Sequence, residues 1–200
     1  MKVVIGSGNQ DKIKEIRNIF KNTNLQFEPY TDYDEIPEVV EDGNNLFENA
    51  YKKAKEISKH LDYPVISDDT GLEVDILGGA PGVYSARYAG ENASYTDNVN
   101  KLLDELDGIN PENRTAQFRT VCVFFDSGEY IQSEGLIKGR ILESPVGKNG
   151  FGYDPVFYIE KEGKTFAQMS EDKKNNISHR GKAIRNLYQK LLKANILQEK

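Results

Sequence analysis

The 200-residue chain has a single cysteine, no tryptophan and no long run of apolar residues. One cysteine, Cys122, can form neither an internal disulfide nor a cysteine-based zinc cage, so we expect a reducing, cytoplasmic compartment. Every apolar stretch is far shorter than the ~18 residues that cross a bilayer. The first residues also lack the apolar segment of a secretory signal peptide. These absences predict a soluble intracellular protein.

Basic residues are outnumbered, because 26 Lys and Arg face 32 Asp and Glu and leave a formal net charge of −6. This balance argues against binding to nucleic acid or to an anionic membrane. The charge is also uneven. Residues 28–48 include eight acidic and no basic side chains, whereas residues 161–200 include ten basic and four acidic ones. Two solvated faces would explain this pattern, and so would two opposed fields around one small polyanion.

Neither an internal repeat nor a proline-rich linker divides the chain, and its apolar share is 38%. A chain of this size can bury one core, so we expect a single domain of two lobes over residues 1–200. The apolar pattern predicts strands at 2–5, 25–30, 64–67, 117–125, 130–137 and 156–159. It predicts helices capped by Asn44 or Asn45, by Thr96 and by Ser178. Alternating elements followed by an antiparallel hairpin indicate an α/β fold with a mixed sheet.

A glycine-containing loop, Gly6–Lys12, joins the first strand to the first helix. Its backbone N–H groups and the positive end of the helix suit a phosphate, and Lys12 adds a positive charge. The loop has neither the spacing of a Walker loop nor the third glycine of a dinucleotide fingerprint. An ordinary tight turn has the same composition, so the loop alone leaves both interpretations open.

Four carboxylates, Glu41, Asp42, Asp68 and Asp69, are candidate ligands of a hard metal ion. Without Cys or His beside them they favour Mg²⁺ over zinc. The alternative is that acidic residues simply end strands at a sheet edge. Neighbouring strand residues point to opposite faces, so at most one of Asp68 and Asp69 should face a given site.

Two loops in the middle of the chain are weaker candidates. The segment 78–88 holds three glycines and a proline, which favours a structural role, with Arg87 a candidate for a phosphate or an ion pair. Phe151 and Gly152 offer a flat aromatic face that a base could approach. A packed turn before the next strand would use the same residues.

The segment 178–181 places His179 and Arg180 at the start of a helix. The helix dipole disfavours positive charge in a first turn. An anionic or oxygen-rich ligand would relieve that conflict, so this segment is a candidate binding site.

Together these segments resemble the inosine triphosphate pyrophosphatase family, the XTP/dITP diphosphatases that act on non-standard purine nucleotides. The resemblance covers nearly the whole chain. The resemblance rests on six segments, which follow the family's order: Ser7–Lys12, Glu41–Ala50, Ser67–Leu72, Gly78–Gly90, Phe151–Pro155 and Ser178–Gly181. Many members have Thr where this chain has Ser7, and the hydroxyl is kept.

The resemblance implies cleavage of the α–β phosphoanhydride of ITP, dITP or XTP, which yields the monophosphate and pyrophosphate and requires Mg²⁺. It also implies a long mixed β-sheet with two α/β lobes, an active-site cleft between them, and a homodimer. No nucleic acid or membrane partner is expected.

The same resemblance implies the roles of individual residues. Asp69 would be the general base and a metal ligand, Glu41 the second metal ligand, and Asp68 a supporting carboxylate. The triphosphate would contact Ser7, Gly8, Asn9, Gln10, Asp11, Lys12 and Lys53. The nucleoside would contact Thr70, Phe151, Gly152, Tyr153, Asp154, Lys174, His179 and Arg180.

Selectivity requires a further device. Hypoxanthine and xanthine have an oxygen at position 6 where adenine has an amino group, so donors such as His179 and Arg180 would be left unpaired by ATP.

Three alternatives remain: a Maf-like pyrophosphatase for pyrimidine or modified nucleotides, a catalytically silent nucleotide sensor, and an RNA-binding module. The base-site segments argue against the first, the intact carboxylates against the second, and the acidic balance against the third.

Overall fold

The computed structural model describes residues 1–34, 36–37 and 39–199, so Glu35 and Glu38 of the acidic stretch and the final Lys200 lie outside the described residues. The chain divides into two compact units. Unit 1 contains residues 1–69, 120–135 and 180–200, and unit 2 contains residues 70–119 and 136–179. None of the helices in the described part of the chain is long and apolar enough to span a membrane.

Eight strands and five α-helices are present among the described residues. The strands are β1 (Lys2–Ile5), β2 (Gln26–Pro29), β3 (Val65–Val74), β4 (Pro81–Gly82), β5 (Thr115–Asp126), β6 (Glu129–Ile141), β7 (Phe157–Ile159) and β8 (Lys164–Thr165). The helices are α1 (Gln10–Ile19), α2 (Leu46–Leu61), α3 (Tyr95–Glu105), α4 (Glu171–Ile177) and α5 (His179–Lys193). Strand β1 pairs in parallel with β2 and β3, whereas β3–β4, β6–β7 and β7–β8 are antiparallel. The predicted α/β fold with a long mixed sheet is confirmed.

Unit 1 has its own apolar core on strands in the order β2-β1-β3-β5-β6. Ile13 and Ile16 recur at helical spacing on α1, and Ile184, Leu187 and Leu191 do so on α5. All five side chains are buried in one cluster with strand residues of the unit. The helical periodicity of the sequence therefore determines which faces of α1 and α5 are buried.

Unit 2 has a separate core that is rich in phenylalanine, on strands in the order β3-β5-β6-β7-β8 with β4 beside β3. The ring centroids of Phe118 and Phe157 are 4.7 Å apart, and those of Phe157 and Phe166 are 5.5 Å apart. Leu102 of α3 is completely buried in the same cluster. Each unit thus buries enough apolar surface for a core of its own.

Three long strands, β3, β5 and β6, contribute residues to both units. The chain passes from one unit to the other at four points. One falls between Asp69 and Thr70 and another between His179 and Arg180, so two crossings lie inside predicted site segments. The prediction of one two-lobed domain with a cleft stays a prediction.

The predicted end of the third strand was wrong. Strand β3 continues past Ser67 to Val74, so Asp68 and Asp69 lie inside a strand and not at its end. The strand continues because Leu72 and Val74 are completely buried. Their burial against the core of unit 2 outweighs the weak strand preference of the acidic and glycine residues before them.

One predicted helix cap was also wrong. Helix α3 is capped by Ser94, two residues before the predicted Thr96. Ser94 accepts from the Asp97 N–H, and the Asp97 carboxylate accepts from the Ser94 N–H, so the two form a reciprocal capping box that Thr96 could not make. Asn45, one of the two residues predicted for α2, does cap that helix by accepting from the Glu48 N–H.

Candidate active site

The loop after β1 is held by its own polar side chains. Asn9 caps α1, with its Oδ1 accepting from the N–H groups of Asp11 at 2.9 Å and Lys12 at 3.3 Å. The Ser7 hydroxyl accepts from the Asn9 N–H at 3.2 Å. Asn9 therefore occupies two of the N–H groups that the sequence offered to a phosphate. The predicted phosphate-binding residues exposed around this cap are Gly8, Gln10 and Asp11.

A chain of four alternating charges lies in unit 1, and three of the four side chains are buried while Lys12 is partly exposed. Lys12 Nζ is 2.9 Å from Asp68 Oδ2, and Arg180 Nε is 3.4 Å from the same oxygen. Arg180 Nη1 is 3.0 Å from Glu15 Oε2. Burial opposes the charged form of Asp68, but Lys12, Arg180 and Lys53 outweigh burial and hold the pKa of this carboxyl well below its usual range. Lys12 is thus fixed by a carboxylate that stays ionised.

Asp69 has a different environment from its neighbour. It is 8% exposed, and its Oδ2 accepts from Asn49 Nδ2 at 3.0 Å. Burial raises the pKa of Asp69, and although the Asn49 hydrogen bond opposes this, Glu41 adds to the increase. A carboxyl group whose pKa is raised is better suited to accept a proton than an ordinary aspartate.

Lys53 completes this group. Its ammonium forms an ion pair with Glu41 Oε1. Burial disfavours the charge on Lys53, but Glu41, Asp68 and Asp69 together raise its pKa above the ordinary value. The lysine is therefore a permanent cation among three carboxylates.

The carboxylates fit a magnesium ion that takes part of its ligands from a substrate. Glu41 and Asp69 lie close enough for Glu41 to raise the pKa of Asp69, and both offer hard oxygen ligands. Within the described residues no group of three His, Cys, Asp or Glu side chains could hold a metal ion alone. Protein Mg²⁺ sites commonly use one or two carboxylates together with substrate phosphates, so two carboxylates are enough.

In unit 2 two of the predicted nucleoside-binding residues, Lys174 and Asp154, form a buried ion pair beside aromatic rings. Lys174 Nζ is 2.5 Å from Asp154 Oδ2, and the same oxygen accepts from the Phe151 N–H at 2.9 Å. Lys174 Nζ also lies 4.5 Å from the centroid of the Phe151 ring. This cation–π contact and the ion pair fix the lysine beside a half-buried aromatic face.

The glycines of the turn allow this arrangement. A Cβ on Gly150 would lie 2.0 Å from Asp154 Oδ2, and Gly152 has a φ of +59°. Tyr153 is buried, and its hydroxyl donates to the Ser85 carbonyl at 2.9 Å. Tyr153 therefore anchors the glycine-rich loop 78–88, which supports the structural interpretation of that loop.

His179 and Arg180 were predicted to contact the base together, but their contacts differ. His179 is buried and stacks on Phe118 in unit 2, with 4.6 Å between centroids and 15° between planes. The Arg180 guanidinium forms ion pairs with Glu15 and Asp68 in unit 1. Adjacent helical residues point about 100° apart, so one cannot expect both to face the same group. Thr70 is partly exposed where the chain enters unit 2.

No role was predicted from the sequence for three residues that contact the predicted site residues: Asn49, Glu15 and Phe118. Asn49 follows Leu46 by three residues and precedes Ala50, which places it on the buried face of α2. Glu15 lies between Ile13 and Ile16 in the same way. A polar residue on an apolar helical face was the available signal.

Comparison with known proteins agrees with these observations. Residues 3–190 match the model of the Ham1 family. A dITP/XTP pyrophosphatase of Thermoanaerobacter sp. (strain X514) is 44% identical over 200 residues and covers 100% of both chains. One of Clostridium perfringens is 47% identical over 93% of this chain and 95% of its own. The Ham1 protein structure of Staphylococcus aureus superposes with a TM-score of 0.88 at 41% identity, over 98% of this chain and 100% of that one. The predicted family is confirmed, and the chain belongs to the Ham1 family.

Proposed function

We propose that this chain hydrolyses ITP, dITP and XTP to the monophosphate and pyrophosphate and so removes non-standard purine nucleotides from the nucleotide pool. As a family member with dITP/XTP pyrophosphatase relatives along its whole length, it is a nucleoside triphosphate pyrophosphatase. The observation that carries the finer proposal is the buried Asp69 carboxylate, which accepts from Asn49 and lies near the Glu41–Lys53 ion pair. A carboxylate in that setting can take a proton from water next to bound phosphate.

Two lysines held by carboxylates would offset the negative charge of the substrate. A triphosphate carries about four negative charges, and these repel an incoming water oxygen unless cations offset them. Lys12 is held by Asp68, and Lys53 is held by Glu41, so neither ammonium needs to be reoriented when phosphate binds. The exposed cap around Gly8 would take the triphosphate from the solvent side.

Asp69 would act as general base. Its carboxylate accepts the proton as the water oxygen bonds to the α-phosphorus, and the bond to the bridging oxygen breaks to release pyrophosphate. Glu41 and Asp69 would hold Mg²⁺, which would supply Lewis acidity and offset charge on the phosphate oxygens. Asn49 Nδ2 donates to Asp69 Oδ2 in this arrangement.

The base would be recognised by unit 2. The Phe151 ring beside Lys174 offers a stacking surface, and the His179 ring could donate an N–H to an oxygen at position 6. ATP would leave such a donor unpaired, and sites of this kind discriminate by up to ~10⁴. The Arg180 guanidinium pairs with Glu15 and Asp68, whereas the His179 ring stacks on Phe118 in unit 2, so we assign base selection to His179 and not to Arg180.

The decisive experiment incubates the purified protein with Mg²⁺ and each of ITP, dITP, XTP, ATP, GTP and dTTP, and identifies the products. We expect pyrophosphate with IMP, dIMP or XMP, and slow turnover of ATP. Orthophosphate with IDP would overturn the choice of bond. Fastest turnover of dTTP would favour a Maf-like pyrophosphatase, and binding without turnover would favour a nucleotide sensor.

The resemblance also supports a homodimer in the cytoplasm, which we include in the proposal. Sedimentation equilibrium would test the first part, with twice the chain mass of 22.6 kDa as the expected value.

A further inference from the structure

A buried asparagine near the start of α2 joins the two acid-bearing segments of unit 1. Asn49 is the fourth residue of α2 and is 1% exposed. Its Nδ2 donates to Asp69 Oδ2 at 3.0 Å, and its Oδ1 accepts from the Gly43 N–H at 2.7 Å. One side chain therefore connects strand β3 to the segment that carries Glu41.

The surroundings fix the amide in this orientation. A Cβ on Gly43 would lie 2.7 Å from Asn49 Oδ1 and 2.7 Å from Glu48 Cβ, so the Gly43 backbone is packed directly on the amide. Gly43 does not have a left-handed φ, which means that close packing alone requires glycine there. A carboxamide is a neutral side chain that donates at one end and accepts at the other. Both ends of Asn49 are used in this way.

We propose that Asn49 is a positioning residue, which orients the Asp69 carboxylate and holds the Glu41 segment in register with it. This inference rests on the proposed function, because the reaction is what gives these carboxylates their task. Asn49 acts through Asp69 and the Gly43 backbone and has no contact with substrate in this role. Its loss should lower kcat, because a misplacement of about 1 Å can cost roughly 10²-fold in rate.

Unit 2 provides a matched control. Asn98 is the fourth residue of α3 and is 2% exposed. Its Oδ1 accepts from the Ala89 N–H at 2.8 Å, and its Nδ2 donates to the Ala86 carbonyl at 3.0 Å. Asn98 thus has the same helical position, burial and hydrogen-bond count, but both its partners are backbone groups of a loop without catalytic carboxylates.

The experiment compares Asn49→Leu with Asn98→Leu in the full chain. It measures Tm, kcat and KM for ITP, the Mg²⁺ concentration for half-maximal rate, and ITP affinity by equilibrium dialysis in EDTA. Both variants should lose similar stability. Only Asn49→Leu should lower kcat by about 10²-fold and raise the Mg²⁺ requirement. Its ITP affinity in EDTA should stay within about three-fold of the wild type, because the lysines remain in place.

Two further variants keep the test decisive if Asn49→Leu does not fold. Asn49→Asp retains the acceptor for the Gly43 N–H but replaces the donor to Asp69. Gly43→Ala leaves both asparagine hydrogen-bonding groups intact and displaces them sterically. Both should fold and lower kcat by at least ten-fold. The positioning role would be overturned by a kcat within two-fold of the wild type in a folded Asn49 or Gly43 variant. It would also be overturned if Asn98→Leu lowered kcat as much as Asn49→Leu does. A wild-type protein that releases no pyrophosphate from ITP would instead refute the proposed function.

Discussion

Units 1 and 2 each bury a lysine–carboxylate cluster, but the two clusters are built differently. In unit 1, Lys12, Asp68, Arg180 and Glu15 alternate in charge. In unit 2 a single pair, Lys174 and Asp154, lies beside aromatic rings. Several charges of both signs suit a polyanion with its counter-ion, whereas one cation beside flat rings suits a heterocycle with a polar edge. The difference agrees with the proposal that residues of unit 1 carry out the chemistry and residues of unit 2 select the base.

The division has a clear experimental consequence. Changes in the unit 1 cluster should lower kcat without altering the ratio of ITP to ATP turnover. Changes in the unit 2 cluster should alter that ratio while sparing kcat for the preferred base. Variants in each unit test this division.

The largest effect is expected for Asp69→Asn. The amide keeps its acceptor for Asn49 Nδ2, so the fold should survive, but it cannot take a proton from water. ITP turnover should fall by about 10³-fold while ITP binding remains measurable by equilibrium dialysis. As a control, Asp75→Asn alters an exposed carboxylate that accepts from the Thr115 hydroxyl, and its rate should be unchanged. Full residual activity of Asp69→Asn would remove Asp69 as the base.

The second-largest effect is expected for Arg180→Met, which should lower the stability of the fold. Arg180→Met would leave Glu15 and Asp68 buried without their shared cation, at a cost of about 3–5 kcal/mol, or a Tm lower by about 10 °C. Turnover should fall as well, because Asp68 also holds Lys12. The ratio of ITP to ATP turnover should not change.

Unit 2 contains a suitable control for that variant. Arg114 is equally buried, but its guanidinium donates to the carbonyls of Ile109 and Leu106. Arg114→Met leaves carbonyls unpaired and no buried charge, so about 1–3 kcal/mol should be lost and kcat kept. If Arg180→Met changed base selection and left Tm unaltered, Arg180 would be a base-contacting residue, as the family resemblance implied.

The third effect separates His179 from its sequence neighbour. His179→Phe keeps a flat ring on Phe118 and removes the ring nitrogens, and with them the N–H donor. The ITP-to-ATP ratio of kcat/KM should fall by about 10- to 100-fold, with Tm within a few degrees of the wild type. His60, the other histidine of the chain, is exposed, and His60→Gln should change neither quantity. An unaltered ratio in His179→Phe would contradict the assignment of base selection to unit 2.

Sequence periodicity correctly predicted those parts of the fold that a local pattern determines. The strand at Lys2–Ile5 and the buried faces of α1 and α5 follow directly from runs and repeats of apolar residues. Strand β3 was predicted too short because Asp68 and Asp69 interrupt the apolar run, and only burial on a distant part of the chain extends the strand. The cap of α3 was missed because Ser94 and Thr96 are chemically equivalent until Asp97 selects one of them.

The candidate site was less accessible to sequence reasoning. The residue types for phosphate and metal were visible as motifs, but their pairing was not. Arg180 and Glu15 are 165 positions apart, and no local pattern links them. Asn49 belonged to a motif segment, but no role was predicted for it. An asparagine on a helix is ordinarily exposed to solvent, and its partner Asp69 lies 20 residues away.

The smallest effect is expected at the helix caps, one in each unit. Asn45→Ala and Ser94→Ala remove side chains that accept from the N–H groups of Glu48 and Asp97, and each should lower the free energy of unfolding by about 1 kcal/mol. Helix α2 carries Asn49 and Lys53, whereas α3 carries no proposed catalytic group. Even so, Asn45→Ala should lower ITP turnover by less than about two-fold, since Asn49 ties the first turn of α2 to Asp69 independently of the cap.

Urea unfolding and kcat measured on both cap variants would show whether that anchor is sufficient. Equal losses of stability with a kcat near the wild-type value would mean that tertiary hydrogen bonds, and not the cap, hold the catalytic end of α2. A ten-fold fall in kcat for Asn45→Ala alone would mean that the cap and Asn49 act as one unit. A similar fall for Ser94→Ala would make turnover sensitive to unit 2 as well, and the proposed division between chemistry and selection would then be wrong.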